Sequence, residues 1–379
     1  MSVRGVADRI TTGWDDGFGG TAGLTLGAVA AAYRGLLETR GWLYGRGVLR
    51  ARKIPCPVVS IGNLTVGGTA KTPAVELAVR SLMALGHRPA VVSRGYGRKS
   101  RGVHVVADVA SIRIEPEDAG DEPFLLARRL PGVPVVVGAD RWEAARVAID
   151  TCGATAIVLD DGLQQRTLAA SLAIVMARAR RPWGNGRLLP AGPLREPLNA
   201  LARGDLIVAV GAEDGSAGAG DGSAGAGDGS ADDGSADDVR AAVARYAPRV
   251  PMITATLEPV ACWEARRMEP MPLTQLAGLR VVPFAGIAAP AAFAATLRGL
   301  KTSDDVVAFP DHHWYSRDDL RALDARAAAA DALVTTEKDW VRLRGRLGAG
   351  PPLYVVSVEL RLATGAEEWR AAFERCRTA

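Results

Sequence analysis

Short apolar runs alternate with helical patterns from residue 54 to residue 210, and this alternation constrains the fold more than any other feature. Each run is brief and rich in β-branched residues, as in a strand that is buried on both faces. The runs are Val58–Ile61, Ala90–Ser93, Val133–Val137, Ala156–Leu159, Leu172–Met176 and Leu206–Val210. The pattern predicts an α/β fold with a mostly parallel sheet, in which ligands bind at the carboxyl ends of the strands.

A smaller alternation occupies the C-terminal part of the chain. A crossing strand at Met252–Leu257 precedes strands at Arg280–Phe284, Val306–Phe309, Leu333–Thr335 and Leu353–Val358, with helices at Pro290–Leu300 and Arg317–Ala330. The length of 379 residues suits about two domains. The predicted divisions are an N-terminal region (1–53), a core (54–210), an insertion (211–238), a linker (239–274) and a smaller α/β domain (275–379).

The first predicted strand runs into a loop of small residues that ends at a Lys-Thr pair. A tight loop before a helix turns its backbone N–H groups toward phosphate oxygens, and the helix N-terminus adds partial positive charge. Lys71 then neutralises the outer phosphates of a nucleotide such as ATP, and the hydroxyl of Thr72 reaches Mg²⁺. The candidate nucleotide-binding residues are Gly67, Gly68, Thr69, Ala70, Lys71 and Thr72.

This loop departs from the strict P-loop pattern at two positions. Thr65 stands where the first glycine belongs, and Ala70 stands directly before the lysine. Because Ala70 carries a Cβ, we expect an altered loop or a weaker affinity for nucleotide. The simpler alternative is a glycine-rich turn from strand to helix with a solvated Lys71.

Paired carboxylates end another predicted strand. Asp160 and Asp161 close the apolar run Ala156–Leu159, and Mg²⁺ prefers such oxygen ligands. Together with the Lys-Thr loop, the pair predicts a metal-binding role. An Asp-Asp-Gly turn without a ligand is the alternative.

Two motifs carry candidates for acid–base chemistry. Asp121 lies in Gly-Asp-Glu-Pro before a helical pattern, where it either takes part in chemistry or caps the helix. His312 and His313 follow the apolar run Val306–Phe309. A histidine there either tunes a carboxylate base or caps the next helix.

Other polar residues lie on predicted loops. Arg141 and Arg195 either contact phosphates or lie in solvent, and the segment Thr335–Asp339 either caps a helix or contacts substrate. The four cysteines are far apart and form no CxxC pair, which favours reduced thiols.

The N-terminal region predicts contact with a membrane surface. Apolar residues recur at helical spacing from Leu26 to Leu37, and Trp42 and Tyr44 follow among several arginines. This pattern indicates an amphipathic cationic helix lying on a membrane, or else a helix packed on the core. The N-terminus carries no secretion signal pattern, and no apolar run approaches the ~20 residues of a membrane span.

Residues 211–238 form an acidic, low-complexity insertion. They contain eight acidic and no basic side chains. Since the whole chain has a formal charge of +4, the residues outside this insertion together carry +12. A basic body suits an anionic substrate or surface. The repeats contain no large apolar side chain, which predicts a disordered surface segment.

Seven motifs, taken together and in order, resemble one family. They are GNLTVGGTAKTP, SRGYG, GDEP, LDDGLQQ, RLLPAGPLREP, FPDHHWY and TTEKD. This set resembles the tetraacyldisaccharide 4′-kinase (lipid A 4′-kinase) family, and the likeness extends from about residue 25 to about residue 360 apart from the insertion.

The resemblance implies a P-loop NTPase-like domain and transfer of the γ-phosphoryl group of ATP to the 4′-hydroxyl of a tetraacylated glucosamine disaccharide 1-phosphate, which yields lipid IVA. It also implies peripheral association with the cytoplasmic face of the bacterial inner membrane, with no nucleic-acid partner and no obligate protein partner. By motif, Asp121 is the base, His312 pairs with it and Lys71 holds phosphates. Further matched residues are Thr72, Asp160 and Asp161 for Mg²⁺, Arg141 and Arg195 for the nucleotide, and Glu122 and Gln164 as lining of the site.

The chain departs from the family pattern at Ala70, where glycine is usual, at Leu163, where an aromatic residue is usual, and in the insertion. The alternative function is a membrane-associated P-loop switch ATPase, which needs neither Asp121 nor His312. A non-enzymatic scaffold with a degenerate nucleotide site is a third interpretation, and the intact Lys71, Thr72 and Asp160 argue against it.

Overall fold

A computed structural model describes residues 14, 20–211, 236–344, 346 and 350–376. The chain divides into two compact units, each made of separate segments. The first unit contains the described residues up to Lys71, Asp161–Thr256 and the residues from Leu362 onward. The second contains Thr72–Asp160 and Leu257–Arg361. Asp121 and His312, which the sequence analysis assigned to different domains, therefore belong to the same unit, and the predicted domain boundaries stay a prediction.

Strands and helices alternate along most of the described chain. The strands are β1 (Val58–Asn63), β2 (Pro89–Ser93), β3 (His104–Ala107), β4 (Val135–Val137), β5 (Ala156–Asp160), β6 (Leu172–Arg178), β7 (Leu206–Val210), β8 (Met252–Glu264), β9 (Glu269–Met271), β10 (Val281–Ala285), β11 (Val307–Ala308), β12 (Ala332–Thr336) and β13 (Leu353–Leu362). The α-helices are α1 (Gly20–Gly45), α2 (Lys71–Ala84), α3 (Pro116–Ala119), α4 (Asp121–Arg129), α5 (Arg141–Asp150), α6 (Asp237–Tyr246), α7 (Pro290–Gly299), α8 (Arg317–Arg326), α9 (Glu337–Leu343) and α10 (Ala366–Cys376).

The first unit is built on parallel strands in the order β1, β6, β7, β8. All residues of β1 and β7 are buried, as expected for strands covered on both faces. Beside them lies an apolar cluster that includes Leu64, Leu163 and Val175. One face of α1 packs on this cluster through Ala30, Tyr33 and Leu37.

The second unit contains two sets of strands. In one, β5, β2 and β4 are parallel and β3 is antiparallel at the edge. In the other, β11, β10, β12 and β13 are parallel. An apolar cluster that includes Val281, Phe293 and Leu297 stabilises the second set, since burying each such side chain contributes about 1.5–3 kcal/mol.

The predicted α/β class with a mostly parallel sheet and an N-terminal helix is confirmed. The predicted strands are present, although β11 has only two residues. The helix predicted at Arg317–Ala330 ends at Arg326 and continues as a 3₁₀ turn over Ala327–Ala329. The edge strand β3 was not predicted.

Most of the predicted acidic insertion, residues 212–235, lies outside the described residues. Its last two residues, Asp237 and Asp238, form the acidic first turn of α6. Carboxylates at this position favour the helix because its N-terminus carries partial positive charge.

Helix α1 has 26 residues, none of them wholly buried. Its apolar residues are not confined to one face, because Leu24, Leu36 and Trp42 are exposed while Tyr33 and Leu37 pack on the core. No helix in the described parts of the chain is long and apolar enough to cross a bilayer.

Candidate active site

In the first unit, Lys71 lies among polar side chains that come from two strand ends. Asn63 is the last residue of β1 and is wholly buried, and Asp161 directly follows β5. Lys71 Nζ donates to Asn63 Oδ1 at 3.2 Å and lies 3.5 Å from Asp161 Oδ1. The lysine is therefore held at the carboxyl ends of strands, where this architecture binds ligands.

The segment around Arg195 runs alongside the same loop. Arg195 N–H donates to the carbonyl of Leu64, and Val66 N–H donates to the carbonyl of Pro193. The Arg195 guanidinium contacts Asp161 Oδ2 at 2.7 Å. Two cations, Lys71 and Arg195, thus share the Asp161 carboxylate.

The loop keeps one unsatisfied polar atom. The Thr69 hydroxyl is buried and has no hydrogen-bond partner among the described residues. A buried hydroxyl without a partner costs free energy, about 1–3 kcal/mol. Binding an anion there removes that cost, so the loop's chemistry fits a phosphate group.

The backbone before Lys71 takes a conformation that glycine prefers. Ala70 has φ of 55°, and Gly67 has φ of 106°. A residue with a Cβ pays roughly 1–2 kcal/mol in the left-handed region. Ala70 therefore adopts a strained conformation, and its effect on nucleotide affinity stays a prediction.

In the second unit lie two of the three residues predicted for Mg²⁺, Thr72 and Asp160, and both are buried. Thr72 begins the buried face of α2, and Asp160 ends β5. Asp160 accepts a hydrogen bond from Ser93 Oγ at 2.9 Å. A hydroxyl and a carboxylate are ligands that suit Mg²⁺, so the donor chemistry fits this ion.

Asp121 and His312 meet in the second unit. Asp121 is the first residue of α4, and His312 lies in the loop after β11. His312 Nδ1 is 2.8 Å from Asp121 Oδ2. His313 points elsewhere, to Asp319 Oδ2 at 3.0 Å. The structure therefore places His312, and not His313, against Asp121.

The pair is asymmetric in charge and exposure. The Asp121 side chain is 6% exposed and the His312 side chain is 33% exposed. Burial opposes ionisation of Asp121, but His312, Arg342 and Lys338 outweigh it and lower the pKa of this carboxyl to about 2. The hydrogen bond to Asp121 in turn raises the pKa of His312. The arrangement holds an ionised carboxylate beside an imidazole that readily carries a proton.

Helix α9 contributes charged side chains next to α4. Lys338 pairs with Glu122, and Glu337 pairs with Arg129 at 2.7 Å. Thr336 caps α9 by accepting from Asp339 N–H. The predicted capping role of this segment is thus observed, and Lys338 in addition holds a residue that the sequence assigned to the site.

Comparison with known proteins identifies the family. A family model described as "Tetraacyldisaccharide-1-P 4'-kinase" (LpxK) matches residues 22–376. The chain belongs to this family. The resemblance stated from the sequence motifs is confirmed.

Curated relatives in several bacteria carry the name tetraacyldisaccharide 4′-kinase. The protein of Syntrophus aciditrophicus is 40% identical over 344 residues, which cover 89% of each chain. That of Anaeromyxobacter dehalogenans (strain 2CP-C) is 41% identical and covers 93% of this chain and 90% of its own. That of Geobacter sulfurreducens is 38% identical and covers 95% and 96%.

A crystal structure of LpxK from Aquifex aeolicus in complex with ATP is also similar. Its TM-score is 0.69 at 27% sequence identity, and the match covers 92% of this chain and 97% of that one. The likeness supports both the P-loop NTPase-like fold and ATP binding by the family.

The remaining predicted residues of this kinase are distributed over both units. Gln164 Nε2 donates to the carbonyl of Asn63 at 2.9 Å in the first unit. Arg141 is 5% exposed in the second unit and donates to the carbonyls of Gly138 and Ala139. The catalytic and binding roles assigned by motif stay predictions.

Sequence reasoning missed two residues that contact the predicted site. Asn63 holds Lys71, and its signal was a polar residue at the end of an otherwise apolar strand. Arg342 lies 3.7 Å from Asp121 Oδ2. In the sequence, Arg342 is marked only by its position three residues after Asp339, a spacing that allows an ion pair on one helix.

Proposed function

We infer that this protein is an ATP-dependent lipid kinase that transfers the γ-phosphoryl group of ATP to the 4′-hydroxyl of tetraacyldisaccharide 1-phosphate, giving lipid IVA. The observation that carries this inference is the family match over residues 22–376. The contact between Asp121 and His312 supports it, because the alternative switch ATPase needs neither residue.

Asp121 acts as the base in this proposal. It accepts the proton of the acceptor hydroxyl, and His312 orients the carboxylate through the hydrogen bond to Oδ2. A group with a low pKa takes up little proton in the ground state, so its main contribution is to align the hydroxyl for attack. Phosphoryl transfer needs little covalent chemistry from the protein, and positioning with charge neutralisation supplies most of the rate.

Lys71 and Arg195 neutralise phosphate charge in this proposal. Both contact Asp161, which holds the two cations in place before ATP arrives. The Thr69 hydroxyl, buried without a partner among the described residues, donates to a phosphate oxygen.

Thr72 and Asp160 are proposed to hold Mg²⁺, an ion that neutralises charge on the transferred phosphoryl group when bound. Asp161, the third predicted ligand, is engaged by Lys71 and Arg195. Its role at the metal stays a prediction.

The cytoplasmic face of the inner membrane is the proposed location. The exposed Leu24, Leu36 and Trp42 of α1 can enter the lipid interface, and arginines of the same region can contact anionic headgroups. Peripheral binding keeps the acyl chains of the substrate in the bilayer while its sugar reaches the protein.

The deciding experiment follows labelled γ-phosphate from ATP to tetraacyldisaccharide 1-phosphate in detergent micelles with Mg²⁺. A labelled lipid that is absent with Lys71→Ala is the expected result. Release of free phosphate without labelled lipid, from folded protein that binds ATP, would support the switch ATPase and contradict the kinase.

A further inference from the structure

A buried ionic network lies behind the Asp121–His312 pair. Arg342 is 1% exposed and Asp339 is 0% exposed, and their side chains are 3.1 Å apart. Burying two charges is expensive, and such pairs are often no more stabilising than apolar residues of the same size. The network therefore calls for an explanation other than stability.

Asp339 is fixed by several donors in addition to Arg342. Its Oδ1 accepts from Gly286 N–H at 2.9 Å and from the Tyr315 hydroxyl at 2.7 Å. Its Oδ2 accepts from the Thr336 hydroxyl at 2.6 Å. A carboxylate with this many partners is a rigid anchor for the guanidinium.

The guanidinium of Arg342 reaches both members of the pair. Its Nε lies 3.7 Å from Asp121 Oδ2. Its Nη1 donates to the carbonyl of Gly286 at 2.8 Å, and that carbonyl also accepts from His312 N–H at 3.2 Å. One planar side chain thus shares a backbone carbonyl with His312 N–H and, while its Nε donates to the carbonyl of Lys338 at 3.1 Å, lies within ion-pair distance of Asp121.

Gly286 makes this link possible. A Cβ at this position would lie 3.2 Å from Asp339 Oδ1 and 3.1 Å from the carbonyl of Pro310. Both distances are tighter than ordinary van der Waals contact, so a side chain would displace the anchor or the histidine loop.

We propose that Arg342, anchored by Asp339, is a positioning residue that fixes Asp121 and His312 relative to one another. The inference rests on the proposed function of that pair in phosphoryl transfer. Lysine cannot replace arginine here, because a single ammonium lacks the planar fork that contacts Asp339, the Gly286 carbonyl and Asp121 together.

The first test titrates the His312 imidazole by NMR and needs no enzymatic activity. The charged groups that face His312 are Asp121, Asp311 and Glu122, and those that face Asp121 include Arg342 and Lys338. In Arg342→Gln, loss of position weakens the hydrogen bond that raises the pKa of His312, so we expect that pKa to fall toward its ordinary value. Loss of charge alone would raise it, since a neighbouring cation is removed.

Two further variants separate position from charge and from folding. In Arg342→Lys we expect the pKa of His312 to fall as it does in Arg342→Gln, because a lysine restores the positive charge but not the planar arrangement of donors. Arg129→Gln removes an arginine that is 11% exposed and pairs with Glu76 and Glu337 but is not a partner of Asp121 or His312. We expect Arg129→Gln to leave the pKa of His312 unchanged.

The second test measures kcat per ATP-binding site. Arg342→Gln should lower kcat by about 10- to 100-fold, since a displacement of 1 Å can cost that much, while the KM for ATP changes less than about threefold. Asp339 keeps three other donors, and urea unfolding of Arg342→Gln measures the stability that is lost with the buried cation.

A His312 pKa that is unchanged or higher in Arg342→Gln overturns the proposal. So does an equal loss of kcat in Arg129→Gln. If the wild-type protein makes no lipid product, the proposed function fails, and the NMR titration still decides whether Arg342 positions the pair.

Discussion

Three residues at the predicted site share an unusual backbone conformation. Ala70, Asp161 and His312 have φ of 55°, 52° and 57° without being glycine. Each such residue costs roughly 1–3 kcal/mol and persists only where its surroundings enforce it. The lysine loop, a strand end and the histidine loop thus hold three of the six described non-glycine residues with positive φ, and Arg181, Met268 and Lys301 are the others.

Replacing Ala70 with glycine should relieve one of these strains. We expect Ala70→Gly to strengthen ATP binding or raise the free energy of unfolding by about 1 kcal/mol. Isothermal titration with ATP and urea unfolding measure the two effects. The control is Ala322→Gly on the exposed face of α8, which should destabilise by about 0.5–1 kcal/mol. If both variants lower the free energy of unfolding and Ala70→Gly does not strengthen ATP binding, backbone strain at Ala70 is contradicted.

Removing the Asp121 carboxylate should affect turnover far more than ATP binding. Asp121→Asn is expected to lower kcat about 10²- to 10⁴-fold, with the Kd for ATP changed less than about threefold. His312→Ala should lower kcat to a lesser degree. Asp118→Asn, an exposed carboxylate three residues earlier, is the control. Equal losses in binding and turnover would argue against the base assignment.

The charged pair also predicts a pH dependence of stability. The lowered pKa of Asp121 stabilises the fold above the unfolded value of about 3.9, and this contribution is lost as pH falls through the folded value. The raised pKa of His312 stabilises below about 6.5, and this contribution is lost as pH rises through the folded value. His312→Gln should therefore lower the free energy of unfolding more at pH 5.5 than at pH 9.

Urea unfolding at the two pH values checks this, with His87→Gln as a control for loss of an imidazole. If His312→Gln lowers the free energy of unfolding more at pH 9 than at pH 5.5, the result contradicts a charged contact between Asp121 and His312.

At this scale, the sequence located residues that belong to a recognisable motif. Asp121, His312 and Lys71 could be named because their neighbours form family patterns. Arg342 could not, because its importance depends on the carbonyl of Gly286, 56 residues away in the chain. A contact made through a backbone carbonyl requires no particular side chain at that position, so it cannot be recognised from the sequence.

At the scale of elements, α1 presents two different apolar surfaces. Tyr33 packs on the core and donates its hydroxyl to the carbonyl of Arg195 at 2.9 Å. Leu24 is 76% exposed and Leu36 is 70% exposed. The helix is thus tied to the predicted nucleotide site on one side and exposes leucines on the other.

The exposed side can be tested on its own. Leu24→Ser/Leu36→Ser should lower binding to vesicles containing phosphatidylglycerol by about tenfold or more, since each buried side chain contributes about 1.5–3 kcal/mol. Flotation or tryptophan fluorescence measures the binding. Met83→Ser/Val109→Ser removes two exposed apolar side chains elsewhere and should change nothing. Unchanged binding in the α1 variant would show that these leucines do not contact lipid.

Elements with a strong pattern were predictable, and two short strands were not. The buried parallel strands have continuous apolar runs, so β1, β5 and β7 follow directly from the sequence. The edge strand β3 has four residues and β9 has three. Such lengths give no clear period, and these elements are fixed by tertiary contacts.

At the scale of the whole molecule, the insertion should be dispensable up to residue 235. Replacing residues 214–235 with a short Gly–Ser linker should leave kcat within about twofold, because loop length adds little free energy. Replacing residues 214–238 also removes Ala236, which is 4% exposed, and the first turn of α6. That variant should lower Tm by a few degrees, since about 1–2 kcal/mol is lost. A large loss of activity in the shorter replacement would contradict the interpretation of the insertion as a dispensable surface segment.

The chain passes from one compact unit to the other four times, at Lys71/Thr72, Asp160/Asp161, Thr256/Leu257 and Arg361/Leu362. During synthesis, the second unit stays incomplete until Leu257–Arg361 has left the ribosome, and the first unit still awaits α10. Domains that are continuous in sequence fold one after another as they emerge. Because both units of this kinase are discontinuous in sequence, we expect their apolar strands to stay unpaired through most of translation and its yield in the cell to depend on chaperones more than that of a protein built from consecutive domains.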